Sequence, residues 1–594
     1  MRTAGVFITA AVTAALMAAL LELNKNSLWG FAALAVLAAL FVILAMRVKR
    51  RPRFVKRLGL WAAWAALFAG VFFLSWPPVR AVPATDAVNP ARTEVVAVKQ
   101  GQVRGVVNGD GVEIFAGIPY AAPPVGELRW KAPQDPAPWS GVLEADSFAP
   151  MSMQPVNLPI YDSLKQIIGY HDYRISLHDN FVPPVSEDSL YLNVWRPAGG
   201  GEGLPVLVYV HGGSLQTGQP WWGDYSGAGL AKQGVIVVNM GYRLGAFGFL
   251  ASEELAAESP VGSTGNYGLM DQIKALEWVR DNIAAFGGDP QNVTLSGESA
   301  GAACVSALCT SPLAKGLFRR AVLESSAVAC RQPPHSFRLL DEAYDSCAEL
   351  LARHNCKTVA ELRTVPAEEL ADEAYTQHHI TVDGYVLEQT PYESYKNGRH
   401  NEEALLHGYN AEEAAAFILF DRTDMKNFES KVRSVFGGLA DEVLSLYPVS
   451  SDGQAASAWA EIWGALFFDH SHYVLSRLAA ENGVPVYEYT FTKNNGRLGP
   501  WHSGEEVYLY ANIDESSRLF DERDRELMGQ MSAYLVNFIK TGDPNGEGLP
   551  EWPDGAAPER IMEFGDETAV VPEKKLALFD IISRLEQENA SVSN

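Results

Sequence analysis

The sequence predicts an α/β fold: a large, mainly parallel β-sheet covered by helices, preceded by three transmembrane helices. Three observations predict it. Apolar strand-like runs alternate with amphipathic helical patterns through most of the chain. Three uncharged stretches of membrane-spanning length open it. A lone G-x-S-x-G segment lies between a strand pattern and a helix pattern. The composition agrees: 594 residues, 47% apolar and 20% charged, the figures of a folded protein and not of a disordered one. A net charge of −24 argues against an extended nucleic-acid surface, which needs clustered Lys and Arg. Five cysteines without a C-x-x-C pair exclude a disulfide miniprotein and a zinc ribbon.

The charge is uneven. Residues 1–80 hold ten basic residues against one acid, Glu22, a balance of +9 that leaves −33 on the remainder. The uncharged stretches 4–21, 27–46 and 58–79 lie in this basic end, each close to the roughly 20 residues that cross a bilayer core. A signal peptide ends in a cleavage site after one stretch; here two more follow. The expectation is a multi-pass membrane anchor over residues 1–80, with helices at about 4–23, 27–46 and 58–79. Seven basic residues between 47 and 57 place that loop on the cytoplasmic side. The 24–26 connector and everything after residue 80 then lie outside. The stretches contain only Glu22 and Lys25 near an end, with no ionisable residue mid-helix, so an anchor is expected rather than a channel or transporter.

A Pro/Ala linker, 81–91, leads to one catalytic domain, 92–580, and a polar tail, 581–594. Strand-like runs fall at 206–210, 235–239, 293–295, 321–324, 404–406 and 484–491, with helical patterns such as 268–286 and 300–308 between them. Fully apolar strands alternating with helices indicate a sheet buried on both faces. Ligands of such sheets sit beyond the carboxyl ends of the strands.

Gly297-Glu298-Ser299-Ala300-Gly301 is flanked by Val293-Thr294-Leu295, a strand pattern, and by a helix pattern. A strand–turn–helix with small residues around Ser meets the needs of an exposed nucleophile. The following helix N-terminus offers free N–H groups to developing negative charge. His211-Gly212-Gly213-Ser214 follows the 206–210 strand, and Gly there lets backbone N–H groups face a carbonyl oxygen. Either segment alone is also an ordinary turn; the two together are not expected by chance.

A serine nucleophile needs a base oriented by an acid. Of twelve histidines, His470, His472 and His502 lie beyond a plausible acid. The first two fall in a helical pattern whose i,i+2 spacing turns their rings to different faces, so Asp469-His470-Ser471-His472 reads as packing and not as a metal site. His502 lies in a loop after a late strand, where a base belongs. Glu412-Glu413 follows the 404–406 strand, and the residues alone do not choose between them.

From about residue 93 to 579 the chain resembles the type-B carboxylesterase family, which includes cholinesterases and para-nitrobenzyl esterases. The matching segments include Gly117-Ile118-Pro119-Tyr120-Ala121, Glu187-Asp188-Ser189-Leu190-Tyr191-Leu192-Asn193-Val194, the block 239–250, the long block 265–301 and Thr541-Gly542-Asp543-Pro544. The resemblance implies an α/β-hydrolase fold and hydrolysis of small-molecule carboxylic esters, with no metal or organic cofactor. It implies Ser299 as nucleophile, Glu413 as acid and His502 as base. Gly213, Ser214 and Ala300 are the implied oxyanion donors, and Arg129 with Glu187 an implied structural ion pair. Ser214 stands where the family usually has a third Gly, which narrows the expected pocket. Residues between 146 and 187 depart from the family pattern. One disulfide among Cys330, Cys347 and Cys356 is an option in an oxidising compartment, and Trp221, Trp222, Tyr225 and Trp463 are candidates for an aromatic pocket. The rival reading is a non-catalytic adhesion protein of the same fold; such relatives typically lack the nucleophile, which this chain keeps.

Overall fold

The computed structural model describes residues 2–47, 54–156, 158–168, 180–331, 337–371, 379–418, 420–496, 499–514, 517–555 and 559–592. The chain forms two compact units. One joins residues 1–82 with 156–184; the other joins 83–155 with 185–594.

In the first unit the three apolar stretches form helices α1 (Arg2–Leu23), α2 (Leu28–Arg47) and α3 (Phe54–Leu74). Their interior is small, built on Ala10, Leu21, Leu34, Phe41 and Trp64. Phe41 stands 4.8 Å from the Trp61 ring and 4.9 Å from Trp64. Large apolar side chains such as Ile8, Leu16, Val36 and Phe73 point outward, the reverse of a water-soluble helix pattern. Among the described residues one helix, Leu28–Arg47, is long and apolar enough to cross a membrane, while Phe7–Leu23 and Leu58–Leu74 are shorter apolar segments. Most of the basic loop that set the expected orientation, residues 48–53, lies outside the described residues.

A buried polar knot closes one end of these helices. Asn26 Nδ2 donates to Phe72 O (2.7 Å) and Ser75 Oγ (2.8 Å), and Asn24 Nδ2 donates to Asn26 Oδ1 (2.8 Å). Gly30 is required there, since a Cβ would lie 2.4 Å from Ser75 Oγ. The remaining helix of this unit is α4 (Pro159–Ile168), which packs on α1.

The second unit is built on an eleven-stranded sheet. In chain order its strands are β1 (Val106–Val107), β2 (Glu113–Pro119), β3 (Tyr191–Arg196), β4 (Leu204–Val210), β5 (Ile236–Met240) and β6 (Gly288–Glu298). β7 (Arg320–Glu324), β8 (Ala404–Asn410), β9 (Val486–Phe491), β10 (Arg560–Phe564) and β11 (Thr568–Pro572) complete it. They lie in the order β11-β10-β9-β8-β7-β6-β4-β5-β3-β2-β1. From β10 to β5 every neighbouring pair is parallel. Antiparallel pairs finish both edges. β4, β5, β7 and β8 are almost wholly buried, as Val- and Leu-rich strands covered on both faces must be.

Helices α5 (Tyr267–Asn282), α6 (Ala300–Thr310), α7 (His470–Glu481) and α8 (Leu576–Val592) belong to this unit. Two expectations change. The stretch from 581 expected as a polar tail lies within α8, whose Ile581 and Ile582 are buried; the apolar i,i+3/i+4 pattern continues past the boundary set on composition. Residues 156–184, expected within the catalytic domain, cluster with the N-terminal helices. No disulfide joins any of the five cysteines.

Candidate active site

Parallel register brings the two Gly motifs to one edge of the sheet. Gly297 of β6 pairs with Val210 of β4, so Ser299 and His211-Gly212 leave adjacent strand ends together. Ser299 has φ 54° and ψ −123°, a strained backbone for a residue with a side chain. Its N–H donates to Glu324 O of β7 at 2.9 Å, and its carbonyl accepts from Ala303 N at 3.0 Å, which fixes the turn between β6 and α6. The flanking glycines are demanded by contact. A Cβ on Gly301 would lie 2.0 Å from Val210 O, and one on Gly297 2.6 Å from the Gly301 carbonyl carbon.

The His211-Gly212-Gly213-Ser214 segment sits against this turn: a Cβ built on Gly212 would come 3.0 Å from Ser299 Cβ. Gly213 (φ 109°) and Ser214 (φ 56°) both take left-handed backbone, held by Gln216 N and Thr217 N donating to Gly213 O, each at 2.9 Å. Among the described residues the N–H groups of Gly213, Ser214 and Ala300 donate no hydrogen bond. Ala300 opens α6, where the first N–H groups have no partner within the helix.

Glu413 and His502 arrive from the ends of β8 and β9, with β7 between them and β6. Glu413 follows β8 on a 3₁₀ turn (Glu413–Ala416), and His502 follows β9. Their loops are fastened by Glu412 N donating to Pro500 O (2.9 Å) and Asn410 Nδ2 donating to Trp501 O (2.6 Å). His502 Nδ1 lies 2.5 Å from Glu413 Oε2. Glu413 is 1% exposed, and its other oxygen accepts from Asn410 N at 2.7 Å. Glu412 is exposed. His502 Nε2 is buried and makes no hydrogen bond among the described residues. It lies 3.2 Å from Glu298 Oε1, outside hydrogen-bond geometry. Phe468 and Phe417 enclose the imidazole at 4.8 and 5.0 Å between ring centres.

Glu298 was not singled out by sequence reasoning, which read it only as the spacer of G-x-S-x-G. It accepts from Ser503 Oγ at 2.6 Å. Behind it lie further buried carboxylates: Glu505, which accepts from Ser325 Oγ (3.1 Å), Glu324, which accepts from Tyr510 OH (2.5 Å), and Glu506, bonded to Tyr209 OH. Burial pushes Glu298 up, Glu505 up to about 8, and Glu324 and Glu506 well above the carboxylate range. Burial opposes the charged form of His502, but the carboxylates of Glu298 and Glu413 outweigh it and push the imidazole up to about 9.

The other two candidate histidines, His470 and His472, are buried and bonded elsewhere. His472 Nδ1 faces His407 Nδ1 at 3.0 Å, and His470 Nε2 meets Ser583 Oγ at 2.9 Å, so the two rings point to different neighbours. Burial alone pushes His470 down to about 3. Cys330, His470 and Glu586 have ligand-type atoms within 4.8 Å of one another, a group that takes only His470 from the Asp-His-Ser-His run. Arg129 and Glu187 form a bidentate pair, both contacts 2.6 Å, and Arg129 Nη1 donates to the Arg363 and Val365 carbonyls at 3.0 and 2.8 Å. Of the aromatic candidates, Tyr225 stacks on Tyr209 at 4.6 Å and Trp221 on Phe148 at 5.6 Å, while Trp222 is partly buried beside Trp221. Trp463 stacks on Phe417, at 5.6 Å, and so reaches the group around His502.

A serine at a strained strand–helix turn, set on a mainly parallel sheet with a His–Glu pair beyond later strands, defines an α/β-hydrolase. The chain belongs to the carboxylesterase family, whose profile matches residues 92–579, and it is a carboxylic ester hydrolase. It is 34% identical over 536 residues to the fumonisin B1 esterase of Sphingopyxis macrogoltabida, covering 85% of this chain and 93% of that one. It is 33% identical over 485 residues to the para-nitrobenzyl esterase of Bacillus subtilis, covering 77% and 92%. A crystal structure of a Geobacillus stearothermophilus carboxylesterase superposes with a TM-score of 0.70 at 31% identity, over 82% of this chain and 100% of that one.

Proposed function

We propose that this protein is a serine carboxylesterase that hydrolyses small-molecule esters through an acyl-enzyme at Ser299, with its catalytic domain tethered to a membrane on the extracytoplasmic side by α1–α3. The observation that carries the catalytic part is the Glu413–His502 bond at 2.5 Å, on the far side of the ring from a buried Nε2 with no hydrogen-bond partner among the described residues.

In this reading His502 Nε2 takes the Ser299 hydroxyl proton as the oxygen attacks the ester carbonyl. Glu413 holds the Nδ1–H tautomer and stabilises the imidazolium. The N–H groups of Gly213, Ser214 and Ala300 receive the oxyanion, each worth about 3 kcal/mol when well placed. His502 then gives its proton to the leaving alcohol. Water, deprotonated by the same nitrogen, releases the acid and restores Ser299. The outward apolar surface of α1–α3 and the span-length α2 support the tether. Positive charge between 47 and 57 supports a cytoplasmic loop there.

Ser299→Ala tests the catalytic reading. It should lose kcat for para-nitrophenyl esters on the order of 10⁶-fold and lose labelling by a fluorophosphonate probe. Undiminished hydrolysis in that variant refutes the assignment.

A further inference from the structure

The 156–184 segment departs from the family pattern in sequence and belongs, in the fold, with the N-terminal helices. It is tied to them at two places. Asn180 Nδ2 donates to Asn26 O at 2.8 Å, in the connector between α1 and α2. Val182 exchanges backbone bonds with the chain leaving α3: its N–H donates to Pro78 O and its carbonyl accepts from Arg80 N, both at 3.0 Å.

Helix α4 within this segment has its faces in an unusual arrangement. It packs on α1, and among its described side chains Pro159 and Ser163 are buried and Ile160 is partly buried. Three of its large apolar side chains are exposed: Tyr161 is 52%, Leu164 40% and Ile167 50% exposed, and Leu158 just ahead of the helix is 59% exposed. Tyr161, Leu164 and Ile167 sweep about 120° of the helix surface, with Asp162 on the opposite side. A helix on a water-facing surface turns such a stripe inward. The helix it packs on, α1, likewise exposes Phe7, Val12, Leu16 and Leu20.

We propose that α4 is an interfacial helix whose apolar face is covered by the lipid bilayer. The proposal rests on the membrane reading of α1–α3. The occupant is argued from the unit the helix belongs to: α4 packs on α1, and α1, like α4, carries large apolar side chains outward. Ten residues reach about 15 Å, too short to cross a core of about 30 Å, so the helix lies in the headgroup–acyl boundary with Asp162 toward water. The segment spanning 156–184 thereby makes a second attachment to the membrane surface, one that branches from the catalytic domain and not from the N-terminus.

The test is photo-crosslinking of the full chain in vesicles of phosphatidylethanolamine and phosphatidylglycerol. A diazirine-bearing residue is placed, one position at a time, at Leu164, Ile167, Asp162 and Val36. The expected result is about tenfold more phospholipid adduct from Leu164 and Ile167 than from Asp162, with Val36 in α2 labelling lipid strongly. Lipid adducts at Val36 with none above the Asp162 level at Leu164 and Ile167 overturn the α4 proposal alone. Adducts from those two positions to a second copy of the chain overturn it in favour of a dimer contact. Loss of lipid labelling at Val36 as well overturns the anchor and the interfacial helix together.

Discussion

Glu298 Oε1 lies 3.2 Å from His502 Nε2, on the side of the imidazole opposite Glu413. The base is therefore flanked by two buried carboxylates, one from the motif that carries Ser299. Burial opposes the imidazolium, and the two carboxylates together override it, bringing His502 up to about 9. A general base acts only when neutral, so kcat/KM should rise with pH until His502 has lost its proton.

Glu298→Gln removes one of the two charges that hold that proton. The pKa of His502 falls, and the rising limb of the kcat/KM–pH profile should move to lower pH by about 1 unit or more. A pH-rate series with a para-nitrophenyl ester checks this. An unmoved limb means that Glu298 is not charge-coupled to the base.

The adjacent pair Glu412 and Glu413 should behave very differently. Glu413→Gln keeps the shape but removes the carboxylate at 2.5 Å from Nδ1, and kcat should drop on the order of 10⁴-fold. Glu412 is exposed, and Glu412→Gln should stay within about twofold of the parent. Equal losses in the two variants would contradict the role given to Glu413.

Arg129→Ala should act on stability and not on chemistry. It leaves Glu187, 12% exposed, without its bidentate partner, and strips two carbonyls of their donor. The expected loss is about 3–5 kcal/mol, read as a lower midpoint in denaturant, with near-parent kcat for the folded fraction. A parent-like midpoint shows that the pair does not hold the loop.

The tether predicts a topology. A phosphatase reporter fused after residue 90 should be active, and a reporter that works only in the cytoplasm should be silent at the same position. The reverse pattern sets the catalytic domain on the other side and removes the role assigned to the positive loop.

Local pattern was enough for much of this protein. The apolar runs within strands β4 to β9 were legible because a strand covered on both faces is built mainly of apolar residues, whatever it pairs with. Gly297 and Gly301 were legible because a tight strand–helix turn excludes Cβ. The apolar helices α1–α3 were legible as long uncharged runs set off by connectors that carry charge or proline. The end of the catalytic domain was not: composition stopped it at 580, but the buried stripe of α8 runs on.

What the sequence by itself determined is the set of local elements and a short list of reactive residues, because turn chemistry and hydrophobic period act over a few positions. Tertiary structure decided which members of that list meet. Glu413 and not Glu412 is buried against His502, 89 residues away, because Glu413 opens the 3₁₀ turn after β8 and Glu412, just ahead of it, stays exposed. Glu298 is brought to Nε2 by parallel closure of β6, β7, β8 and β9, and that distance appears in no local pattern. Residues 156–184 join the N-terminal helices through Asn180 and Val182, the bond from Asn180 to Asn26 spanning 154 residues of chain. Charge coupling and packing depend on distance in space, and only the closed fold sets those distances.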